Sequence, residues 1–118
     1  MSTVRVLIAD DQALVRAGFK MILDAEDDLD VVGEAADGAS AIAAVAELGP
    51  EVVLLDVQLP DVDGFGVAER IGDSGAVIVL TSSRGAASFR RRLSANPEWS
   101  FIPKSELSGP ALLAAVSG

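Results

Sequence analysis

Five residues of this chain could act together: Asp10, Asp11, Asp56, Thr81 and Lys104. Each follows the end of a short apolar run, at residues 4–9, 52–55, 76–80 and 99–102. In an open parallel sheet the carboxyl ends of the strands share one rim, where ligands bind. That rim would gather three carboxylates, a hydroxyl and an ammonium. Ionised carboxylates crowded together repel and raise one another's pKa, so the cluster needs compensation. Mg²⁺ supplies it, taking one or two carboxylates and leaving positions open for phosphate oxygens. The hydroxyl and the lysine suit the remaining oxygens of a phosphoryl group. A carboxylate among such groups is equipped to attack phosphorus. Taken singly, Asp56 reads equally well as a turn cap, Asp10 as a helix cap, Thr81 as a strand-end hydroxyl and Lys104 as a solvated charge. Their joint recurrence at strand ends favours a site.

Those positions require a particular scaffold. Residues 52–56 (Val-Val-Leu-Leu-Asp) read as a strand buried on both faces, and Pro60 with Asp63-Gly64 forces a turn after it. Leu14, Val15, Gly18, Phe19, Ile22 and Leu23 recur at helical spacing, leaving Arg16 and Lys20 for solvent. A mixed-polarity stretch at 30–35 suits an edge strand. Residues 38–48 form a second helix, closed by Gly49-Pro50. A short helix at 65–71, a helix from Ala86 carrying Arg90-Arg91-Arg92, and a last helix opened by Gly109-Pro110 complete the series. Strand and helix alternate five times. This predicts an α/β fold, a doubly wound parallel sheet of five strands with helices on both faces and right-handed crossovers.

At 118 residues the chain reads as a single domain spanning 1–118. Half of it is hydrophobic with few aromatics, so Val, Leu, Ile and Ala must build the core. Cysteine is absent, excluding disulfides and thiolate metal sites. Histidine is absent too, excluding Ser-His-Asp and Cys-His catalysis and the usual zinc ligands. A net charge of −9 argues against direct nucleic-acid binding. No signal-peptide core or membrane-length apolar run occurs, so a soluble, cytoplasmic protein is expected. The last helix carries no polar residue over 111–116. Part of it must therefore be exposed or covered by a partner, and a dimer or output-domain contact is expected there. Trp99 reads as an exposed anchor or as half-buried against the sheet end.

Four motifs carry a resemblance over the whole chain: Val6-Leu7-Ile8-Ala9-Asp10-Asp11, Leu54 through Gly64, Val79-Leu80-Thr81-Ser82, and Phe101-Ile102-Pro103-Lys104. Together they resemble the receiver domain of bacterial two-component response regulators. Two further phrases, Asp11 through Gly18 and Val32 through Gly38, resemble the subfamily whose receivers usually precede a LuxR-type helix-turn-helix. The resemblance implies a flavodoxin-like strand order of 2-1-3-4-5. It implies that Asp56 is modified, accepting a phosphoryl group from a sensor histidine kinase. Asp11, Asp56 and the Gln58 carbonyl would hold Mg²⁺, with Asp10 assisting through water. Thr81 would bond the phosphoryl oxygen and Lys104 would pair with it. Movement of Thr81 would let Phe101 rotate inward, reshaping the face of the fourth helix, fifth strand and fifth helix for a partner, dimer or output domain. Such a module catalyses only its own phosphorylation and dephosphorylation and is not a conventional enzyme.

Ser105 follows Lys104 where many receivers have proline, and the span from Thr81 to Lys104 is one residue longer than usual, so Ser82 competes with Thr81 for the hydroxyl role. The alternatives are a Mg²⁺-dependent phosphohydrolase, disfavoured by Gln58 where a second acid is usual, and a degenerate receiver acting by contact only. A flavodoxin-like cofactor carrier would need a phosphate loop after the first strand, where this chain has two acids.

Overall fold

The computed structural model describes residues 3–117. Five strands, β1 (Val4–Ala9), β2 (Leu29–Ala35), β3 (Val52–Asp56), β4 (Val77–Thr81) and β5 (Ser100–Phe101), alternate with five helices. The helices are α1 (Ala13–Asp24), α2 (Gly38–Leu48), α3 (Gly64–Arg70), α4 (Arg90–Ala95) and α5 (Gly109–Ser117). All strand pairs are parallel, in the order β2-β1-β3-β4-β5. The flavodoxin-like topology is therefore present, with β2 at one edge as its mixed polarity requires.

Alternation along the strands divides the core in two. Val6, Ile8, Val52, Leu54 and Val79 face Phe19 and Leu23 of α1 and Leu112 of α5. Leu7, Ala9, Val53, Leu55 and Leu80 face Ala41 and Val45 of α2, and Phe65 and Ala68 of α3. Each set is sealed from water on its own face, which is why β3 and β4 lack polar positions until they end. Asp37 caps α2 through the Ser40 N–H at 2.7 Å. Gly49 closes the helix in the left-handed region at φ 55°.

Several expectations shift. On α1 only Phe19 and Leu23 are buried, while Leu14 is 89% exposed and Ile22 is 41% exposed. The stripe that packs on the core is Val15, Phe19 and Leu23, too narrow to include them. Arg16, expected in solvent, instead folds back: its Nη1 donates to the Asp10 carbonyl at 2.7 Å and its Nε to Glu34 at 3.2 Å. The fifth strand keeps two residues of the expected four. Trp99 is buried, its ring 5.9 Å from that of Phe65. A 3₁₀ turn over Ala86–Phe89 precedes α4. As expected, α5 leaves part of itself open, but the open positions are Pro110, Ala114 and Ser117, while Leu112 is fully buried.

Candidate functional site

The register sets the site. Ala9 pairs with Leu55, and Asp56 pairs with Thr81, so β1, β3 and β4 end nearly level. Backbone bonds then hold their outgoing loops together. Asp10 N–H donates to the Ala35 carbonyl at 3.0 Å, Val57 N–H to Thr81 at 2.9 Å, and Lys104 N–H to Ser82 at 2.9 Å.

Asp10 and Asp56 are both buried, and Asp11 is exposed at the mouth. Carboxylate oxygens of the three lie within 4.8 Å of one another. Lys104 reaches between the two buried acids. Its Nζ stands 2.8 Å from Asp10 Oδ2, an ion-pair contact outside hydrogen-bonding angles, and 3.1 Å from Asp56 Oδ2, where it donates a hydrogen bond. The remaining oxygens accept from the backbone: Asp10 Oδ1 from the Gln12 N–H at 2.9 Å, Asp56 Oδ1 from the Gln58 N–H at 3.1 Å. Asp11, Gln12, Asp56, Gln58, Ser83 and Lys104 line an open cleft.

Burial pushes the Asp56 carboxyl above its ordinary value, and the charge of Asp10 adds to this. The Gln58 N–H and Lys104 pull the other way without overcoming it. For Lys104, burial alone would lower the pKa, but the two carboxylates outweigh it and hold the ammonium above its usual range. One ammonium among three carboxylates leaves the cluster two charges short of neutrality, the charge of one divalent cation. The donor set is all oxygen, as a hard cation needs. The residues therefore fit Mg²⁺.

Thr81 is completely buried, and its Oγ1 has no hydrogen-bond partner among the protein's groups. Ser82 Oγ is already engaged, accepting from the Arg84 N–H at 3.1 Å. Phe101 is half-buried, its ring 5.7 Å from that of Phe89.

The loop after Asp56 is braced more heavily than its turn residues suggest. Gly64 N–H donates to the Val57 carbonyl at 2.7 Å, and a side chain at Gly64 would run into the Asp56 carbonyl oxygen and Val57 Cα. Asp61 reaches across to α2, accepting from the Gly38 N–H at 2.7 Å and the Ala39 N–H at 3.0 Å. Those N–H groups hold its carboxyl below the usual range. Asp63 caps α3 through the Gly66 N–H at 2.8 Å and meets Arg92 Nη1 of α4 at 3.2 Å. Sequence reading missed the roles of Asp61 and Arg16: the partners of Asp61 lie over twenty residues away, and Arg16 reaches the Asp10 carbonyl only through the turn from β1 into α1. An acid directly after Pro60 was the only available sign.

The profile of the response regulator receiver domain family matches residues 6–116. An uncharacterized transcriptional regulatory protein of Bacillus subtilis, YxjL, is 46% identical over 82 residues, covering 67% of this chain and 38% of that protein. Protein-glutamate methylesterase/protein-glutamine glutaminase 5 of Myxococcus xanthus is 41% identical over 90 residues, or 75% of this chain and 26% of that protein. The chain thus spans well under half the length of these curated relatives. The signal receiver domain assigned to the response regulator NarL of Mycobacterium tuberculosis superposes with a TM-score of 0.86 at 29% identity, covering 100% of this chain and 99% of that one. With its strand order, its acidic rim and a family match over nearly its whole length, the chain belongs to the response regulator receiver domains of two-component systems.

Proposed function

We propose that the chain is a one-domain phospho-acceptor module in which Asp56 takes a phosphoryl group from a sensor histidine kinase. The observation that carries this reading is the buried Asp10–Asp56–Lys104 group with Asp11 at its mouth. An oxygen of Asp56 bonds to phosphorus as the bond to the donor's nitrogen breaks, and the donor leaves with that electron pair. Lys104, already 3.1 Å from Asp56, is placed to pair with the oxygens of the arriving group. Asp11, Asp56 and the Gln58 carbonyl would hold Mg²⁺, and Asp10, which lies deeper, would assist through water. When bound, the cation supplies charge neutralisation at the transferring group.

The unpartnered Thr81 Oγ1 supports Thr81, rather than the engaged Ser82, as the hydroxyl that bonds the phosphoryl oxygen. Its movement would leave space toward which Phe101 turns. That shift would change the face of α4, β5 and α5 presented to a partner, a second copy or an output domain. Leu14, exposed on α1 between the cleft-lining Gln12 and Val15, offers an apolar foothold for the kinase. Transcription control is proposed for any longer regulator that carries this domain, by analogy with the named relatives. No helix among the described residues is long and apolar enough to cross a membrane. A cytoplasmic setting is proposed because the kinase's phosphoryl donor, ATP, is there.

Incubation with Mg²⁺ and acetyl phosphate is expected to add the mass of one phosphoryl group in an acid-stable, base-labile linkage. Asp56→Asn should abolish it. Unchanged labelling of that variant would sink the assignment.

A further inference from the structure

Arg16 lies in the first turn of α1, the end of a helix where the dipole disfavours a cation. Two oxygens nonetheless hold its guanidinium there. Nη1 donates to the Asp10 carbonyl at 2.7 Å, and Nε donates to Glu34 Oε1 at 3.2 Å. Asp10 is gripped on its other side as well, its N–H donating to the Ala35 carbonyl at 3.0 Å. Both peptide units flanking Asp10 are therefore tied to the end of β2, one directly through Ala35 and one through Arg16 and Glu34. A peptide unit is planar, so fixing the Asp10 carbonyl also fixes the bond into Asp11. The directions in which Asp10 and Asp11 project their carboxylates follow from it.

Glu34 faces Arg16 because β2 is irregular. Leu29 and Val31 pack on the α1 side of the sheet, with Val6 and Ile8. Strict alternation would send residues 33 and 35 the same way and turn Glu34 toward α2. The register instead slips: Val6 pairs with Val31, but Leu7 pairs with Gly33, so Val32 is the extra residue of a bulge. Beyond it Ala35 packs with Ala9 on the α2 side, and Glu34, opposite Ile8, meets Arg16 on the α1 side. Gly33 is turned toward α2, where a Cβ would stand 2.6 Å from Leu48 Cδ1. A bulge beside a site re-aims a side chain, and the one re-aimed here is Glu34. With the Glu34 side chain 39% exposed, the ion pair itself adds little stability. Stability alone is a poor account of the bulge.

We propose that Arg16 and Glu34 are positioning residues for the acidic rim. Glu34 holds Arg16, Arg16 holds the Asp10 carbonyl, and the carboxylates of Asp10 and Asp11 are thereby set to receive a divalent cation. The consequence for the metal rests on Asp10, Asp11 and Asp56 being the Mg²⁺ site; the positioning of the loop does not. Groups that orient metal ligands govern affinity by about tenfold or more. Charge alone predicts the opposite sign for Arg16, since removing a cation beside three acids would draw Mg²⁺ in more tightly.

Calorimetric titration with MgCl₂ of the unaltered chain, Arg16→Ala, Glu34→Ala and the double variant measures the affinity. Exchange of the Gln12 amide, which donates to Asp10 Oδ1 at 2.9 Å, reports the loop in the metal-free chain. Each single variant is expected to weaken Mg²⁺ about tenfold and to speed Gln12 exchange, and the double variant should be no worse than Arg16→Ala. Lys20→Ala removes the α1 ion pair between Lys20 and Asp24 at 2.9 Å and should change neither readout. Mg²⁺ binding that is unchanged or tighter in Arg16→Ala would overturn the proposal, even if the melting temperature falls. Additive losses in the double variant would overturn it by separating Glu34 from Arg16. An equal loss in Lys20→Ala would overturn it as a general loosening of α1. If the unaltered chain binds no Mg²⁺ at millimolar concentration, the metal reading fails and Gln12 decides the positioning alone. Faster exchange in both single variants then upholds it, and unchanged exchange overturns it.

Discussion

At the scale of residues, the site is held in tension by groups that do not fully satisfy one another. Thr81 Oγ1 is buried without a partner, which costs about 1–3 kcal/mol relative to a bonded hydroxyl. Thr81→Val keeps the shape and removes the hydroxyl. The metal-free, unphosphorylated protein should gain about 1 kcal/mol in urea unfolding, while the response to phosphorylation at Phe101 is lost. A clear loss of stability would mean the hydroxyl is already bonded. Lys104 presents the opposite case. It is the one cation between two buried carboxylates, so Lys104→Met leaves two charges facing each other. Removing one partner of a buried pair costs about 3–5 kcal/mol; with the lysine side chain 21% exposed, about 2–4 kcal/mol is expected. Addition of Asp56→Asn should recover part of it.

At the scale of elements, the loop from Asp56 to Gly64 behaves as a bracket fastened at three points. Its base is the Gly64–Val57 bond, its middle is Asp61 on the N-terminus of α2, and its end is Asp63 with Arg92 of α4. Gly64→Ala places a methyl into the Asp56 backbone, an overpacking worth about 1–3 kcal/mol. The loop should yield before the core does, so phosphorylation by acetyl phosphate should fall more than the melting temperature. Asp61 makes stability depend on pH. Its folded pKa lies below the ordinary 3.8, so its contribution is present above 3.8 and is lost as pH falls through the folded value. Asp61→Asn should therefore lower the melting temperature at neutral pH, with the difference vanishing in strong acid. A difference independent of pH would exclude the charged cap. Phe65, directly after Gly64, continues the bracket outward. Its ring lies 5.7 Å from Phe89 and 5.9 Å from Trp99, and Phe89 lies 5.7 Å from Phe101. Four of the five aromatic residues thus form one connected group between the loop after Asp56 and β5.

At the scale of the whole molecule, the fold concentrates negative charge where three strands end. A cation that binds this cluster only in the folded chain must stabilise it. Mg²⁺ at about ten times its dissociation constant should add about 1.4 kcal/mol, visible as a rise in melting temperature. Asp11→Asn and Asp56→Asn should each remove most of the rise. An undiminished rise in both variants would locate the cation elsewhere.

Much of this was legible without coordinates. The continuous apolar runs at β1, β3 and β4 allow only a buried parallel sheet, and the alternation with helices orders it. Because parallel strands bring their carboxyl ends to one rim, Asp10, Asp11, Asp56 and Lys104 could be assigned to a single site from spacing alone. Gly49-Pro50 and Gly109-Pro110 marked helix ends through local backbone chemistry, which neighbours in sequence decide. Contacts set by the path of the folded chain were invisible. Leu14 shares the periodicity of α1 but lies off the narrow stripe the sheet covers. Arg16 looks like a solvated charge until the Asp10 carbonyl comes within 2.7 Å. Which of Thr81 and Ser82 has a hydroxyl without a partner depends on the path of the chain after β4. Asp61 meets its partners over twenty residues away. Residue types and period determined the sheet and which polar side chains share its rim; only the packed chain decided which buried polar atoms are satisfied and which are left without a partner.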